Sequence, residues 1–301
     1  MGIVGYGMRP AKHIQRQLVF DACRRLTAFA PMSDYWYIGL GGLEFVDFAL
    51  ARRQLGIRRM ISMEQDTFAY ARYEFNRPFA EIDVLGGRAT DLLPTLDYVG
   101  LRIVWLDYEQ RLNDEVMADA IYLSRVLLPG SVLIVTMNSD PASPRDRRRS
   151  ELVDRVGESR IPSGTTDETL ARWGLASAQW RILSDALTAA FRSRGDGAYL
   201  EQLFNVCYAD TSRMQTYGGV VLAPALVRAF ETCRFDDLDF IRRGEEPVIV
   251  RAPVLTVKEL IHLNRQLPLP AGGAFEGATL PDDDMADYER FYRWYPTPPL
   301  P

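Results

Sequence analysis

Between Tyr35 and Asn138 the chain repeats one pattern: a short β-branched or aromatic run, then a segment of helical spacing. The runs are YWYIGL (35–40), RRMISME (58–64), EIDVLG (81–86), LRIVWLD (101–107) and SVLIVTMN (131–138), separated by LEFVDFALARRQLG, DTFAYARYEFN, ATDLLPTL and NDEVMADAIYLSRVLL. Strands that are apolar on both faces and alternate with helices predict a parallel sheet covered on both sides. Two further strand-like runs flank the turn residues ADTSRM in LEQLFNVCYADTSRMQTYGGVVLA, which predicts an antiparallel hairpin. The expected fold class is α/β: a doubly wound, mostly parallel seven-stranded sheet with a C-terminal antiparallel hairpin, a helical insertion and a C-terminal extension.

Outside that frame, AKHIQRQLVFDACRRLTAF sets Ile14, Leu18, Phe20, Ala22, Leu26 and Phe29 at helical spacing up to Pro31, which predicts one amphipathic helix within a segment 1–32. SDPASPRDRRRSE, from Ser139, is rich in Pro, Ser and Arg and reads as an exposed connection. Residues 150–195 read as polar helix, with Trp173, Leu175, Trp180, Ile182, Leu183, Leu187 and Phe191 turned inward. The expected divisions are therefore 33–222 for the sheet unit, with 139–200 as its linker and insertion, and 223–301 for the extension. In the extension AFETCRFDDLDFIRR is expected to be helical, Thr256 and Glu259 form a capping box, and the aromatics from Tyr288 to Tyr295 are expected to pack on the rest of the chain.

A net charge of -5 argues against a bulk basic surface for nucleic acid, although Arg145, Arg147, Arg148 and Arg149 form a local basic run. Three cysteines without a CxxC pair and two histidines, His13 and His262, supply neither a zinc framework nor a disulfide scaffold. Both histidines are expected to be ordinary helix residues. The N-terminal stretch lacks the apolar core of a signal peptide and no stretch reaches eighteen apolar residues, so a cytoplasmic protein without membrane spans is expected.

The first strand-to-helix turn, YIGLGGLEFVDF, carries Gly39, Gly41 and Gly42 where a doubly wound sheet binds its ligand. Glycines there let a ligand approach the backbone. A dinucleotide fingerprint needs glycine at position 44, which is Glu44, and no Lys-Ser or Lys-Thr follows to make a nucleoside triphosphate loop. Glu44 and Asp47, in the first turn or so of the next helix, oppose the field that attracts phosphate. A ligand without phosphate at this turn, and of cationic character, fits better. Glu64 closes the second strand, where a carboxylate accepts from both ribose hydroxyls; its alternative role is a helix N-terminal acid with Asp66 as cap. Ala89 and its neighbours in GGRATDLLP are placed to line an adenine edge, and Asp107 and Tyr108 stand where the reacting end of the ligand belongs.

With these residues, 35–138 resembles a class I S-adenosylmethionine-dependent methyltransferase, and the hairpin 202–222 is similar to that family's terminal antiparallel pair. The resemblance implies S-adenosyl-L-methionine as cofactor, with Gly39, Gly41 and Gly42 around its methionine part, Glu64 on the ribose, Arg88 and Ala89 along adenine, and Asp107 toward the sulfonium. The family often has an acid two residues before the first glycine and another in the adenine loop; Tyr37 and Arg88 stand there and join the cofactor-binding candidates. Asp107 is the candidate to orient the cofactor's amine or serve as base, and Tyr108 to shape the acceptor pocket. Asp107 with Asn138 or Asp140 offers oxygen ligands to magnesium, but Met137 stands where the metal-dependent pattern has an acid, so no metal is expected. The expected function is methyl transfer to an oxygen or nitrogen of an unidentified acceptor, small molecule or macromolecule. The alternatives are a cofactor-binding or partner-binding protein that transfers nothing, motivated by Tyr37 and Arg88, and a nucleic-acid methyltransferase, motivated by LDYE and the arginine run.

Overall fold

A computed structural model describes residues 9–270, 272–277 and 280–296. The glycine-rich start before residue 9 and the last residues of the aromatic tail lie outside them. The first element, α1 (Pro10–Cys23), buries Ile14, Leu18 and Ala22, spaced four apart, on one stripe. Proline in the first turn leaves no N–H to satisfy, and the next two amides find a distant cap: Ala11 and Lys12 donate to Oδ1 and Oδ2 of Asp210 at 3.0 and 2.9 Å. Beyond Cys23 the expected single helix tightens into a 3-10 stretch, Arg24–Ala28.

The strands are β1 (Trp36–Gly39), β2 (Arg59–Glu64), β3 (Ile82–Gly86), β4 (Arg102–Arg111), β5 (Val132–Asn138), β6 (Tyr199–Ala209), β7 (Arg213–Leu222) and β8 (Val248–Val250). Among the described residues they form one sheet in the order β3-β2-β1-β4-β5-β7-β6-β8. Strands β1 to β5 are parallel neighbours, and β7 runs antiparallel to both β5 and β6. The α/β, mostly parallel sheet and the hairpin toward its C-terminal side are thus as the sequence pattern predicts. An eighth strand is added: β8, from the PVIVRAPVL stretch, lies parallel to β6 at the edge.

The remaining helices are α2 (Val46–Leu50), α3 (Tyr70–Asn76), α4 (Ala89–Leu92), α5 (Asp114–Val126), α6 (Arg148–Val156), α7 (Gly174–Arg194), α8 (Val227–Thr232), α9 (Val257–Asn264) and α10 (Asp282–Phe291). Alternate strand residues separate two cores. Tyr37, Ile103, Trp105 and Ile134 pack with α1 and α2 on one face; Ile38, Val104, Leu106 and Leu133 pack with α5 and α7 on the other. Helix α7 therefore forms part of the sheet's cover, with Leu175, Ile182, Leu183, Leu187 and Phe191 buried as expected and Trp173 and Trp180 half-buried. In the AFETCRFDDLDFIRR stretch only α8 is α-helical, followed by a 3-10 turn, Phe235–Asp237. The capping box at Thr256 and Glu259 opens α9.

Helix α1 is also pinned to the sheet by a polar relay beneath it. Gln15 Nε2 donates to Thr216 Oγ1 at 2.9 Å, the Thr216 and Thr136 hydroxyls are 2.8 Å apart, and Trp105 Nε1 donates to Thr136 at 3.0 Å. Replacing Asp210 with Ala removes both acceptors at the start of α1, at a cost of about 0.5–2 kcal/mol. Urea unfolding of D210A measures that loss; a midpoint equal to that of the unchanged protein would show the distant cap to be inert.

Candidate functional site

Strand order reverses between β1 and β4, and the crevice outside the carboxyl ends of the strands at that switch is where an open α/β sheet holds ligands. A cavity of about 780 Å³ lies there, within the roughly 300–1,000 Å³ span of ligand pockets. Successive strand ends line it in order: Gly87, Arg88 and Ala89 after β3, Met63 to Asp66 at β2, Leu40 to Gly42 after β1, and Asp107 to Gln110 along β4. Helix α1 closes it with Lys12 and Arg16, and α5 with Glu115 and Asp119.

The glycine turn is built around Glu64. Its Oε1 accepts from Ser62 Oγ at 2.6 Å and from the amides of Gly41 and Gly42 at 3.1 and 3.2 Å. Gly42 has φ +58°, where a side chain is strained, and a Cβ on Gly41 would stand 2.5 Å from Ser62 Oγ and 2.8 Å from the Phe45 ring, so a side chain there would displace its neighbours. Burial pushes the Glu64 carboxyl up, against the lowering effect of these three donors. The amides that cradle a phosphate in nucleotide-binding turns are here committed to a carboxylate. Glu44 lies in the exposed turn before α2, while Asp47 is inside its first turn. Asp47 does not repel an anion as a bare charge, since it is buried against Arg16. The expectation of a ligand without phosphate at this turn therefore draws on Glu64 rather than on Glu44 and Asp47. Asp66 caps the turn after β2, accepting from Phe68 and Ala69, and also lines the cavity.

Asp107 and Tyr108 are consecutive on a strand, so they point to opposite faces. Asp107 turns toward α1: Lys12 Nζ is 2.9 Å from its Oδ2, and an Arg16 terminal nitrogen is 3.9 Å away. The Arg16 Nε pairs in turn with Asp47, whose side chain is only 6% exposed. Burial raises the Asp47 carboxyl, partly offset by Arg16. Tyr108 turns toward α5 and donates to Asp119. Burial and then the Asp119 charge push the Tyr108 hydroxyl well above its usual range, which keeps it protonated. Strand β4 continues to Arg111 through an irregular register, so Asp107 and Tyr108 stand on an extended strand that runs past its expected end at Asp107.

The cavity thus brings together Gly41, Gly42, Glu64, Arg88, Ala89, Asp107 and Tyr108. Arg88 stands at its rim, paired with Asp91 and Glu115. Two candidates lie beneath it. Tyr37 is 1% exposed, edge-on to Phe48 at 4.9 Å, because strand parity points it into the α1 core. Gly39 is buried in β1, where a Cβ would stand 3.1 Å from the Trp105 carbonyl. The sequence reading passed over Lys12 and Arg16, which look like solvated residues of a basic helix start, and Asp119, whose role depends on meeting Tyr108 across α5.

Other candidates have partners elsewhere. Asp140 accepts from Arg213, and Asn138 accepts from the Asp140 amide. Among the described residues no group of three or more His, Cys, Asp or Glu is placed to hold a metal. In the arginine run, Arg145 and Arg149 pair with Glu168 and Glu158, and Arg148 donates to the Asp167 carbonyl. His13 is half-buried and does not line the cavity, and His262 bonds the Glu276 carbonyl. Among the described residues no helix is long and apolar enough to cross a membrane.

A family profile described as "putative O-methyltransferase" matches residues 4–297. The chain belongs to that family. Among solved structures it is similar to an O-methyltransferase family protein from Burkholderia thailandensis, at 12% identity over 70% of this chain and 57% of that one, with a TM-score of 0.37. An O-methyltransferase from Klebsiella pneumoniae, so described provisionally, shares 14% identity over 73% of this chain and 83% of its own, TM-score 0.40. Human N-acetylserotonin methyltransferase, solved with S-adenosylmethionine, shares 13% over 70% and 56%, TM-score 0.33. The chain thus spans little more than half the length of the first and third. No curated protein matches it.

In this family member the Arg16–Asp47 pair carries a direct prediction. Arg16→Met leaves Asp47 buried without its counter-charge, a loss of about 3–5 kcal/mol. Because burial raises the folded Asp47 carboxyl, the folded state holds its proton more tightly than the unfolded chain does. The penalty in R16M is therefore smallest below the usual carboxylate range and grows as pH rises through the folded value. Urea unfolding at pH 5 and pH 8 checks the sign; an R16M loss independent of pH would contradict it.

Proposed function

We propose that the protein is an S-adenosylmethionine-dependent methyltransferase acting on a hydroxyl oxygen. The observation that carries this reading is the cavity whose wall passes from the adenine loop through Glu64 and the glycine turn to Asp107 and Lys12. The residues present fit such a cofactor. All three hydrogen bonds recorded for Glu64 fall on Oε1, which leaves Oε2 to accept from ribose hydroxyls. Ala89 and Arg88 would flank adenine. At the other end the 2.9 Å Lys12–Asp107 pair offers one charge of each sign to a zwitterionic amino-acid tail: Asp107 to its ammonium, Lys12 to its carboxylate. When bound, S-adenosylmethionine supplies a methyl group activated by its sulfonium. Asp107, held by Lys12 and within reach of Arg16, orients that tail rather than taking a proton. Tyr108, protonated and bonded to Asp119, shapes the wall beside it. The unit 33–222 carries the strand ends of this site, and α1 belongs to it functionally, because Lys12 and Arg16 complete its wall.

Oxygen as the acceptor atom draws on the family description. The reading of a protein that keeps the cofactor without transferring methyl draws on the closure of Asp107 onto Lys12.

Calorimetric titration of S-adenosylmethionine and S-adenosylhomocysteine into the full chain tests the site. Both are expected to bind in the micromolar range. In Glu64→Gln one acceptor for the ribose becomes a donor, and affinity is expected to fall about 10- to 100-fold, the worth of hydrogen bonds to a charged group. Equal binding by E64Q, or no binding by the folded unchanged protein, would refute the assignment. Binding with no methylated product from any acceptor would favour the non-transferring alternative.

A further inference from the structure

Helix α5 brings two acids to one end of the cavity. Glu115 and Asp119 stand four residues apart, hence on one side of the helix, and both line the wall beside Gly87, Arg88 and Ala89. Their surroundings differ. Glu115 lies toward the rim: an Arg88 terminal nitrogen is 3.7 Å from its Oε1, and Thr90 Oγ1 donates to the same oxygen at 3.4 Å. Asp119 is 2% exposed, one turn further in. Burial raises its carboxyl, and the hydroxyls of Tyr108 and Thr90 act to lower it again. Tyr108 donates to Oδ2. Oδ1 has no hydrogen bond of good geometry among the described residues, yet it is not sealed from solvent, so it opens on the cavity that Asp119 lines.

Resting on the methyltransferase reading, which lays the cofactor's adenine along Arg88 and Ala89, we infer that Asp119 determines the choice of base: its Oδ1 accepts a hydrogen bond from the exocyclic amine of adenine. The ligand class is thus narrowed from any nucleoside sulfonium to one whose purine carries a donor at that position. Hypoxanthine and guanine present a carbonyl oxygen there, whose lone pairs would face those of the carboxylate.

Of the side chains that α4 and α5 bring to that end, Asp119 is the one suited to read an amine. Arg88 is a guanidinium, which donates only, and it already faces Asp91 and Glu115 at 3.0 and 3.7 Å. Ala89 carries no polar side-chain atom. Glu115 shares its charge with Arg88 and is 36% exposed, so water competes there and a bond discriminates little. Asp119 is bonded to a neutral hydroxyl, and no ion pair reaches it among the described residues. A site that holds a buried group ready for one donor rejects an analogue lacking that donor, because the group is then left unpaired.

Calorimetry with the full chain compares two ligands, S-adenosylhomocysteine and its purine analogue in which hydrogen replaces the amine, on the unchanged protein, Asp119→Ala and Asp119→Asn. The unchanged protein is expected to bind the analogue about 10- to 100-fold more weakly, the worth of one hydrogen bond to a charged acceptor. In D119A the two ligands are expected to bind within about threefold of each other. D119N keeps the shape and offers a neutral oxygen, so its ratio is expected to fall below about tenfold and below that of the unchanged protein; it decides the matter if D119A does not fold. A purely structural Asp119 would weaken both ligands alike and leave the ratio as it was. Equal binding of the two ligands by the unchanged protein, or a ratio that D119A, or D119N in its place, leaves intact, overturns the inference. Failure of the folded unchanged protein to bind S-adenosylhomocysteine refutes the cofactor reading instead, and the choice of base falls with it.

Discussion

A buried carboxylate organises this molecule. Asp47 sits under α1 and must be answered by a cation, because an uncompensated charge in that position costs several kcal/mol. Arg16 answers it, and in doing so fixes the rotation of α1 about its axis. With Arg16 turned inward, Lys12 one helical turn earlier falls on the same side and meets Asp107. Four alternating charges thus connect the helix after β1, the extended end of β4 and the N-terminal helix. The cavity owes one wall to that sequence of pairs.

The sheet was legible because its strands are buried on both faces and so read as unbroken apolar runs between helical segments. Every expected parallel strand is present within a few residues. Strand β8 was not legible: three residues at an edge carry too little pattern, and the pairing with β6 supplies what the local sequence lacks. The lining of the candidate cavity was legible wherever a residue stands at or just after a strand end, as Glu64, Gly41, Gly42 and Ala89 do. It was not legible where side-chain parity decides. Tyr37 is two residues from Gly39, and that even spacing on a strand turns it toward Phe20 and Phe48. Lys12 and Arg16 were hidden for the opposite reason. Their partners are 95 and 31 positions away, and no local pattern separates a cation reaching a cavity from one facing water.

The same parity divides labour along β4. Asp107 belongs to the α1 side with its cations, and Tyr108 to the α5 side with Asp119. Two neighbouring residues that look like one acidic-aromatic motif are wired to different helices and different charges. A substitution at one is therefore expected to leave the environment of the other largely intact, whereas a shift of one residue in strand register would exchange the two environments.

The remote cap on α1 bears on the order in which the chain assembles. The first helix is held by Asp210, Thr216 and Tyr208's strand, contacts some 200 positions along the chain. Closing so long a loop is entropically expensive and slow. A nascent chain can pair β1 to β5 long before β6 and β7 exist, but α1 lacks part of its docking surface, including Asp210 and Thr216, until that hairpin arrives. The ligand cavity is consequently among the last features to form, and a half-made sheet waits with the α1 side of its core open to aggregation. A ligand that grips both Glu64 and Lys12 would bind only the finished topology, and so would report completed folding as well as chemistry.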